Sequence, residues 1–237
     1  MTDIELTDKS THQLSFYLAM EEYAARHLPA TDDYFFLWQV EPTVIFGRNQ
    51  VAQNEVNMDY CTEHGIKFFR RKSGGGCVYA DMSNVMLSYI TDESNVEKTF
   101  QRYLGMICET LESIGLEGVH PSSHNDIMIG NRKVSGNAIY VTQGRIIAHG
   151  TLLYDTDMDN MLHAITPSKE KLQKNGVESV RQRICLLKDY TDMPFAEIRR
   201  RIKEHLCDKT ITLTEKDIEG IKDIEQEYLK PEFIYGE

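Results

Sequence analysis

Cysteine is scarce in this sequence, and the spacings that would make it a metal ligand or a cross-link are missing. The five cysteines among 237 residues are odd in number and widely spread, with no C-x-x-C pair. Paired spacings are typical of zinc sites and disulfide frameworks, so we predict reduced thiols. No apolar run is long enough to cross a bilayer, and the polar, acidic N-terminus is unlike a secretory signal. These absences predict a cytoplasmic location and no membrane contact.

Basic residues are in the minority. The chain has 26 Lys and Arg against 37 Asp and Glu, a formal net charge of −11. A general nucleic-acid binder needs a basic surface for phosphate contacts, so that class is excluded. The basic residues nevertheless concentrate at 70–72, 132–133 and 181–183. We therefore predict a cationic pocket in an acidic protein.

Hydrophobic periodicity predicts an α+β domain that covers residues 1–237. Apolar and β-branched runs predict strands at 34–40, 43–46, 66–69, 85–90, 126–129, 133–141 and 145–154. Helical spacing predicts helices at 11–28, 56–64, 96–114, 158–162, 168–172, 194–206 and 215–228. The first two strands are expected to pair, since only Glu41 and Pro42 separate them. Within the first helix, a solvated face is expected for at least one of Glu21 and Glu22.

The most distinctive segment is 70–79, RRKSGGGCVY, in which cations and three glycines lie between two strands. Glycines let the backbone approach a ligand closely, and their N–H groups can converge on an anion. A plain glycine-rich hairpin is the alternative interpretation. A second loop, 130–137, GNRKVSGN, has a similar composition and places Lys133 at the start of a strand just past a tight turn. Two such loops indicate one anionic ligand held from two sides.

Three common ligand-site motifs are absent. The sequence contains no H-E-x-x-H, no G-x-x-x-x-G-K-[ST], and no glycine fingerprint between a strand and a helix. What remains is an anion pocket with a positioned lysine, suited to stabilising charge in an acyl-phosphate type of transition state.

Several ordered motifs resemble those of the lipoate-protein ligase A family. Residues 70–81, RRKSGGGCVYAD, followed by Asn84, resemble the family motif R-R-x-S-G-G-G-x-V-[FY]-H-D-x-G-N. Residues 125–126, 132–138 and 149–153 resemble its next three blocks in the same order. Residues 18–22, 47–50 and 179–183 extend the resemblance over nearly the whole chain.

The resemblance implies a fold similar to biotin protein ligases and class II synthetases, with a central mixed β-sheet flanked by helices. It also implies a two-step reaction. Lipoate and ATP, with Mg²⁺, would give lipoyl-adenylate and pyrophosphate, and the lipoyl group would pass to a lysine of an apo lipoyl domain. The implied acceptors are acyltransferase subunits of 2-oxoacid dehydrogenases and the glycine cleavage H protein.

Site residues follow from the same resemblance. Lys133 is the implied catalytic residue, at the junction of carboxylate and phosphate, and Asp126 is the implied residue near magnesium. The implied lipoate and adenylate contacts are Arg70, Ser73, Gly74, Gly75, Gly76, Val78, Tyr79, Asn84, Asn125, Ser135, Gly136, Ala138, His149, Gly150 and Thr151.

Departures from the family pattern keep alternatives open. Ala80 stands where the motif has histidine, and the sequence stops about where the family's large domain ends, without the small C-terminal domain. A separate accessory subunit is therefore one expectation for the adenylation step. An octanoyl or lipoyl transferase of the same fold would use a cysteine thioester and no ATP, and Cys77 is the candidate thiol. A non-catalytic lipoate- or adenylate-binding protein is the third alternative.

Overall fold

The computed structural model describes residues 1–8, 10–166 and 183–236. Its strands are β1 (Thr2–Glu5), β2 (Tyr34–Trp38), β3 (Thr43–Phe46), β4 (Lys67–Arg70), β5 (Val78–Ala80), β6 (Asn84–Thr91), β7 (Val119–Pro121), β8 (Asp126–Ile129), β9 (Arg132–Thr142), β10 (Arg145–Leu153) and β11 (Lys209–Thr212). Its helices are α1 (Leu14–His27), α2 (Ala52–Glu55), α3 (Met58–Glu63), α4 (Val96–Ser113), α5 (Met158–Ala164), α6 (Phe195–Leu206), α7 (Glu215–Tyr228) and α8 (Pro231–Tyr235), with a 3-10 turn at Leu187–Asp189.

Eight strands form one sheet in the order β11-β1-β2-β6-β10-β9-β8-β7. β1 pairs in parallel with β2 and β11, whereas the pairs from β2 across to β7 are antiparallel. Helices pack on both faces, so the prediction of an α+β fold with a mixed, helix-flanked sheet is confirmed.

Alternating side chains give the sheet two buried faces. On one face, Phe36 and Ile147 pack in a cluster with α1. On the other, Phe35 and Leu87 pack with α4 and α6. Every residue of β6 is buried, as expected for a strand covered on both sides.

β3, β4 and β5 form a separate small sheet in the order β4-β3-β5. The predicted pairing of the strands at 34–40 and 43–46 is therefore wrong, because β2 and β3 lie in different sheets. Pro42 has no N–H to donate to a strand partner, and the chain turns at Glu41 and Pro42 before β3 begins. β4 and β5 flank the three glycines but do not form a hairpin, because each pairs with β3.

The long helices agree closely with the prediction. α4 begins after Asn95, whose side chain accepts a hydrogen bond from the Lys98 N–H, and α7 spans the predicted residues 215–228. The predicted helix at 168–172 lies outside the described residues. Three short strands, β1, β7 and β11, were not predicted, because their sequences TDIE, VHP and KTIT contain no apolar run. Among the described residues, no helix combines the length and apolar composition that a membrane crossing requires.

Candidate active site

A cavity of about 230 Å³ opens on the sheet face covered by α1. It is lined by Leu14, Leu18, Trp38, Ile45, Arg71, Gly75, Gly76, Cys77, Val78, Met86, Asn125, Asp126, Lys133, Gly136, Asn137, Ala138, His149, Gly150, Thr151 and Arg183. The set joins both glycine-containing loops of the sequence. The structure thus brings together eleven predicted site residues: Gly75, Gly76, Val78, Asn125, Asp126, Lys133, Gly136, Ala138, His149, Gly150 and Thr151.

The cavity floor is a single row of residues across five strands. Trp38 pairs with Met86, Met86 with Thr151, Thr151 with Gly136, and Gly136 with Asp126. Paired residues on neighbouring strands point to the same face, so the row forms one continuous surface. Its β2 end is apolar, and its β8 end is the Asp126 carboxylate.

Three charged groups meet at the β8 end. Lys133 Nζ lies 2.7 Å from Asp126 Oδ1, and Arg183 donates to Asp126 Oδ2 at 2.8 Å. The Asp126 side chain is only 10% exposed. One buried carboxylate is therefore shared by two cations, which leaves a net positive charge at the β8 end of the cavity.

A β-bulge turns Lys133 toward the cavity. Met128 pairs with Lys133 and Ile127 with Ser135, so Val134 is an extra residue on β9. Val134 packs in the cluster with α4 on the opposite face. A bulge residue reverses the alternation of the strand locally, so Lys133 and Gly136 lie on one face although they are three residues apart. A Cβ on Gly136 would lie 2.5 Å from Lys133 Nζ.

Arg71 holds the triglycine loop from inside. Its guanidinium donates to the carbonyls of Gly74 at 2.7 Å, Gly76 at 2.8 Å and Ile45 at 3.2 Å. Burial lowers the pKa of Arg71 to about 10. Gly75 has a φ of 92°, a conformation that favours glycine, and its carbonyl lies 2.4 Å from where Gly47 would carry a Cβ. The loop is therefore tightly fitted against the end of β3.

A chain of buried polar groups crosses the floor behind His149. The His149 ring lies between the Ser73 hydroxyl, 2.7 Å from Nε2, and the Glu21 carboxylate, 2.9 Å from Nδ1. Glu21 also accepts from the Ser88 hydroxyl, which accepts from the Trp38 indole N–H at 2.8 Å. These bonds fix the ring of His149 relative to both α1 and the glycine loop.

The expected solvated face of α1 is wrong for both glutamates. Glu21 and Glu22 are fully buried. Glu22 pairs with Arg26 at 2.5 Å and with Lys72 at 2.8 Å, and it accepts a hydrogen bond from the Tyr228 hydroxyl. Apart from Arg26, one turn further along α1, their partners come from distant parts of the chain, so helix periodicity alone does not reveal the burial of the two carboxylates.

Arg70, an implied ligand contact, lies outside the cavity lining. Its guanidinium donates to the carbonyls of Arg48 at 2.8 Å, Gln50 at 2.7 Å and Phe233 at 2.7 Å. It stacks over the Phe46 ring at 4.8 Å. Arg70 thus joins α8 to the turn after β3, and its neighbour Arg71 is the arginine that lines the cavity.

Five further implied contacts are also outside the lining: Ser73, Gly74, Tyr79, Asn84 and Ser135. Ser73 acts on the cavity through His149, and Gly74 through Arg71. Tyr79 is buried in the cluster under the small sheet, and Asn84 accepts a hydrogen bond from Thr156. Ser135 donates to Asn137 Oδ1 at 3.2 Å on the far face of the sheet.

Sequence reasoning missed several lining residues. Arg183 lies in the segment 179–183, which extends the resemblance, and Arg71 is adjacent to Arg70, the implied ligand contact. Trp38 had no such signal beyond being the only tryptophan. Only the sheet register reveals that Trp38 and Met86 continue the row on which Gly136 lies.

Metal-binding and thiol groups are sparse around the cavity. Within residues 1–8, 10–166 and 183–236, no group of three or more His, Cys, Asp or Glu side chains could hold a metal ion. Asp126 is the one carboxylate among the described lining residues, and Cys77 is the one thiol. Burial raises the pKa of Cys61 and of Cys108 to about 11, which makes both thiols poor nucleophiles.

Comparison with known proteins gives consistent results. Residues 13–207 match the family model described as the lipoyl protein ligase A/B catalytic domain. The lipoate-protein ligase LplJ of Bacillus subtilis is 35% identical over 230 residues, which is 92% of this chain and 69% of that protein. The chain spans about two thirds of the length of the curated relatives it matches.

Two solved structures from Thermoplasma acidophilum are similar over nearly the whole chain. Protein Ta0514 with bound lipoic acid has a TM-score of 0.85 and 25% identity, with 100% of both chains covered. A bipartite lipoate protein ligase, described with its E2 lipoyl domain, has a TM-score of 0.86 and 26% identity, with 99% of this chain and 96% of that chain covered.

Proposed function

The chain belongs to the lipoyl protein ligase A/B catalytic-domain family, and from that premise we propose that it is a lipoate-protein ligase. It activates lipoate with ATP to form lipoyl-adenylate and transfers the lipoyl group to a lysine of a lipoyl domain. The observation that carries this proposal is the row of floor residues, which runs from an apolar end at Trp38 to Asp126, where Lys133 and Arg183 give a net positive charge.

That row matches an amphipathic acid. Lipoate has an apolar ring and alkyl arm with a carboxylate at the far end. The arm would lie over Trp38, Met86 and Leu18, where burying apolar surface is worth about 25 cal/mol per Å². The carboxylate would then reach Lys133. A fatty acid of similar length also has an apolar chain and a terminal carboxylate. The cationic end of the cavity therefore recognises the carboxylate and does not distinguish lipoate from such a fatty acid.

The first step joins carboxylate and phosphate at Lys133. A carboxylate oxygen of lipoate attacks the α-phosphorus of ATP, the bond to the bridging oxygen breaks, and pyrophosphate leaves. Negative charge builds up on the α-phosphate oxygens, and the Lys133 ammonium can donate to them from a rigid strand. Removing one such donor from a preorganised site typically costs roughly 100- to 1,000-fold in rate.

Asp126 holds Lys133 and Arg183 in position for the first step. With both carboxylate oxygens paired, it keeps Lys133 and Arg183 within 2.8 Å of one group. An arriving triphosphate would compete with Asp126 for these cations. The ammonium and guanidinium are thus held close to the reacting atoms before substrate arrives, which lowers the cost of reorganisation.

Magnesium suits this site only as a companion of the nucleotide. Magnesium is usually held by one or two carboxylates together with substrate phosphates, and Asp126 is the one lining carboxylate in the described part of the chain. Asp126 would be its protein ligand, after releasing one of its cations. When bound, the ion would neutralise charge on the leaving pyrophosphate.

In the second step, the neutral amine of an acceptor lysine attacks the acyl carbon of lipoyl-adenylate. An amide forms, AMP leaves, and the amine loses one proton. We propose lipoyl domains of 2-oxoacid dehydrogenase acyltransferase subunits and the glycine cleavage H protein as acceptors. An accessory chain would act in the first step, and the existence of a bipartite lipoate protein ligase of similar structure supports the presence of a second chain.

Two assays on the purified chain test this function. One follows pyrophosphate release that depends on lipoate and Mg-ATP, and the other follows transfer from supplied lipoyl-adenylate to an apo lipoyl domain. Activity in both, lost in Lys133→Ala, is the expected result. Transfer alone would assign the adenylation step to a complex with an accessory chain, and absence of both would refute the proposal.

A further inference from the structure

We propose that Asn137 is a positioning residue that sets the location of Asp126, and through it Lys133, from behind the cavity floor. This inference rests on the proposed function for its catalytic consequence. It comes from a group of hydrogen bonds at the junction of β9, β8 and α4 that the sequence motifs do not explain.

Asn137 is locked to Asn125 by three hydrogen bonds. The backbone N–H of Asn137 donates to the Asn125 carbonyl at 3.0 Å, and its Nδ2 donates to the same carbonyl at 3.1 Å. In return, Asn125 Nδ2 donates to the Asn137 carbonyl at 2.6 Å. Asn137 is only 4% exposed, so water does not compete effectively for these bonds. The residue just before Asp126 is therefore fixed to the middle of β9.

The other end of the Asn137 amide is fixed as well. Its Oδ1 accepts hydrogen bonds from the hydroxyls of Tyr103, on α4, and Ser135, each at 3.2 Å. A flipped amide would turn Oδ1 toward the Asn125 carbonyl, which can only accept. One orientation therefore satisfies all of the partners, and the side chain points toward the helix face of the sheet opposite to the cavity.

Gly150 makes room for this arrangement. It pairs with Asn137 across β9 and β10. A Cβ at Gly150 would lie 1.9 Å from Asn137 Oδ1 and 3.0 Å from the Tyr103 hydroxyl. Any side chain at position 150 would thus displace the Asn137 amide, so this cross-strand pair works as a unit.

Asn137 is connected to the cavity through the peptide bond between Asn125 and Asp126. Asn125 is followed directly by Asp126, whose Oδ1 lies 2.7 Å from Lys133 Nζ. Asp126 begins β8, and its own N–H and carbonyl bond to Ser122 within the same turn, at 3.1 and 2.8 Å, so the bonds of Asn125 to Asn137 are what tie this turn to β9. Two of the three bonds to Asn125 use the Asn137 backbone, so removal of the Asn137 side chain breaks the Nδ2 bond and the two contacts of Oδ1. Asn125 and Asp126 are then held less tightly, and the counter-ion of the Lys133 ammonium loses its fixed position.

The kinetic test compares Asn137→Ala, Asp126→Asn and the double variant, with lipoate-dependent pyrophosphate release as the assay. We expect Asn137→Ala to lower kcat at least tenfold while the KM for lipoate changes less than threefold, because the apolar end of the cavity is untouched. In the Asp126→Asn background, the same change should alter kcat less than twofold. A kcat within twofold of wild type, or a full tenfold loss in both backgrounds, would overturn the proposal.

A second test does not depend on activity. Amide hydrogen exchange of the 122–129 segment should be at least tenfold faster in Asn137→Ala, with exchange in β6 unchanged. Unchanged exchange of 122–129 would overturn the positioning role even if the wild-type chain showed no ligase activity, which would count against the proposed function alone.

Gly150→Ala covers the case in which Asn137→Ala fails to fold, because the added Cβ displaces the Asn137 amide without removing it. Gly150→Ala should slow pyrophosphate release at least tenfold, and the same change in the Asp126→Asn background should alter the rate less than twofold. A full tenfold loss in both backgrounds would contradict the proposed pairing.

Discussion

Gly136→Ala tests whether the position of the Lys133 ammonium is what matters. The added Cβ would lie 2.5 Å from Lys133 Nζ and 2.8 Å from Cε, where ordinary contacts are 3.4–4 Å. The end of the lysine must therefore move by about 1 Å, and a displacement of that size can cost roughly 100-fold in rate. That factor corresponds to about 2.7 kcal/mol of activation free energy.

The fold should tolerate this substitution. The conflict is with the far end of a flexible side chain, and alanine is better suited than glycine to a strand interior by about 0.5–1 kcal/mol. We expect kcat for lipoate-dependent pyrophosphate release to fall about 100-fold, with the midpoint of thermal unfolding unchanged or raised.

Gly105→Ala is the matched control. A Cβ at Gly105 meets nothing within 4 Å, and the residue lies inside α4, away from the cavity. Alanine there should stabilise the chain by about 1 kcal/mol and leave kcat unchanged. If Gly136→Ala kept more than half of the wild-type kcat, the argument that a fixed ammonium drives the reaction would be refuted.

Four further outcomes follow from the site. Cys77→Ala should retain ATP-dependent activity, and complete loss of transfer would favour a cysteine thioester mechanism instead. Arg70→Ala should lower the free energy of unfolding by about 2–3 kcal/mol in urea titrations, because it leaves several carbonyls unpaired. The KM for lipoate should not change. A tenfold higher KM would show that Arg70 contacts the ligand. Glu21→Gln should destabilise the chain by about 1–3 kcal/mol, because an amide N–H₂ cannot accept the hydrogen bonds that the carboxylate accepts, and an unchanged urea midpoint would contradict that network. At pH 8, Cys61 and Cys108 should resist iodoacetamide, because a thiol with a pKa of about 11 is almost entirely protonated. Both thiols should become reactive only as the pH rises toward that value. Rapid labelling of either residue at pH 8, detected by mass spectrometry, would show that the thiol is not buried.

Elements with a long, regular pattern were predictable from the sequence. α4 and α7 carry continuous apolar stripes, and β6 is a largely apolar run, so burial on one or two faces follows directly from the spacing. The motif loops around Gly75 and Lys133 were also recognisable, because their composition is unusual. Eleven of the implied site residues accordingly line the cavity.

Properties that depend on distant partners were not predictable. Arg70 and Arg71 are adjacent in sequence, yet one binds carbonyls of α8 and the other binds the triglycine loop, because successive residues of an extended chain point in opposite directions. Likewise, nothing local marks Val134 as a bulge residue, although that one extra residue decides which face of the sheet Lys133 occupies.

The most direct measurement of the central claim is mass spectrometry of an apo lipoyl domain incubated with this chain, lipoate and Mg-ATP, supplemented with an accessory chain if one is required. The account predicts one lipoyl amide on a lysine, with AMP and pyrophosphate formed in equal amounts, no product without ATP, and none with Lys133→Ala. Equal modification without ATP from a lipoyl or octanoyl thioester, or undiminished ATP-dependent modification by Lys133→Ala, would contradict it.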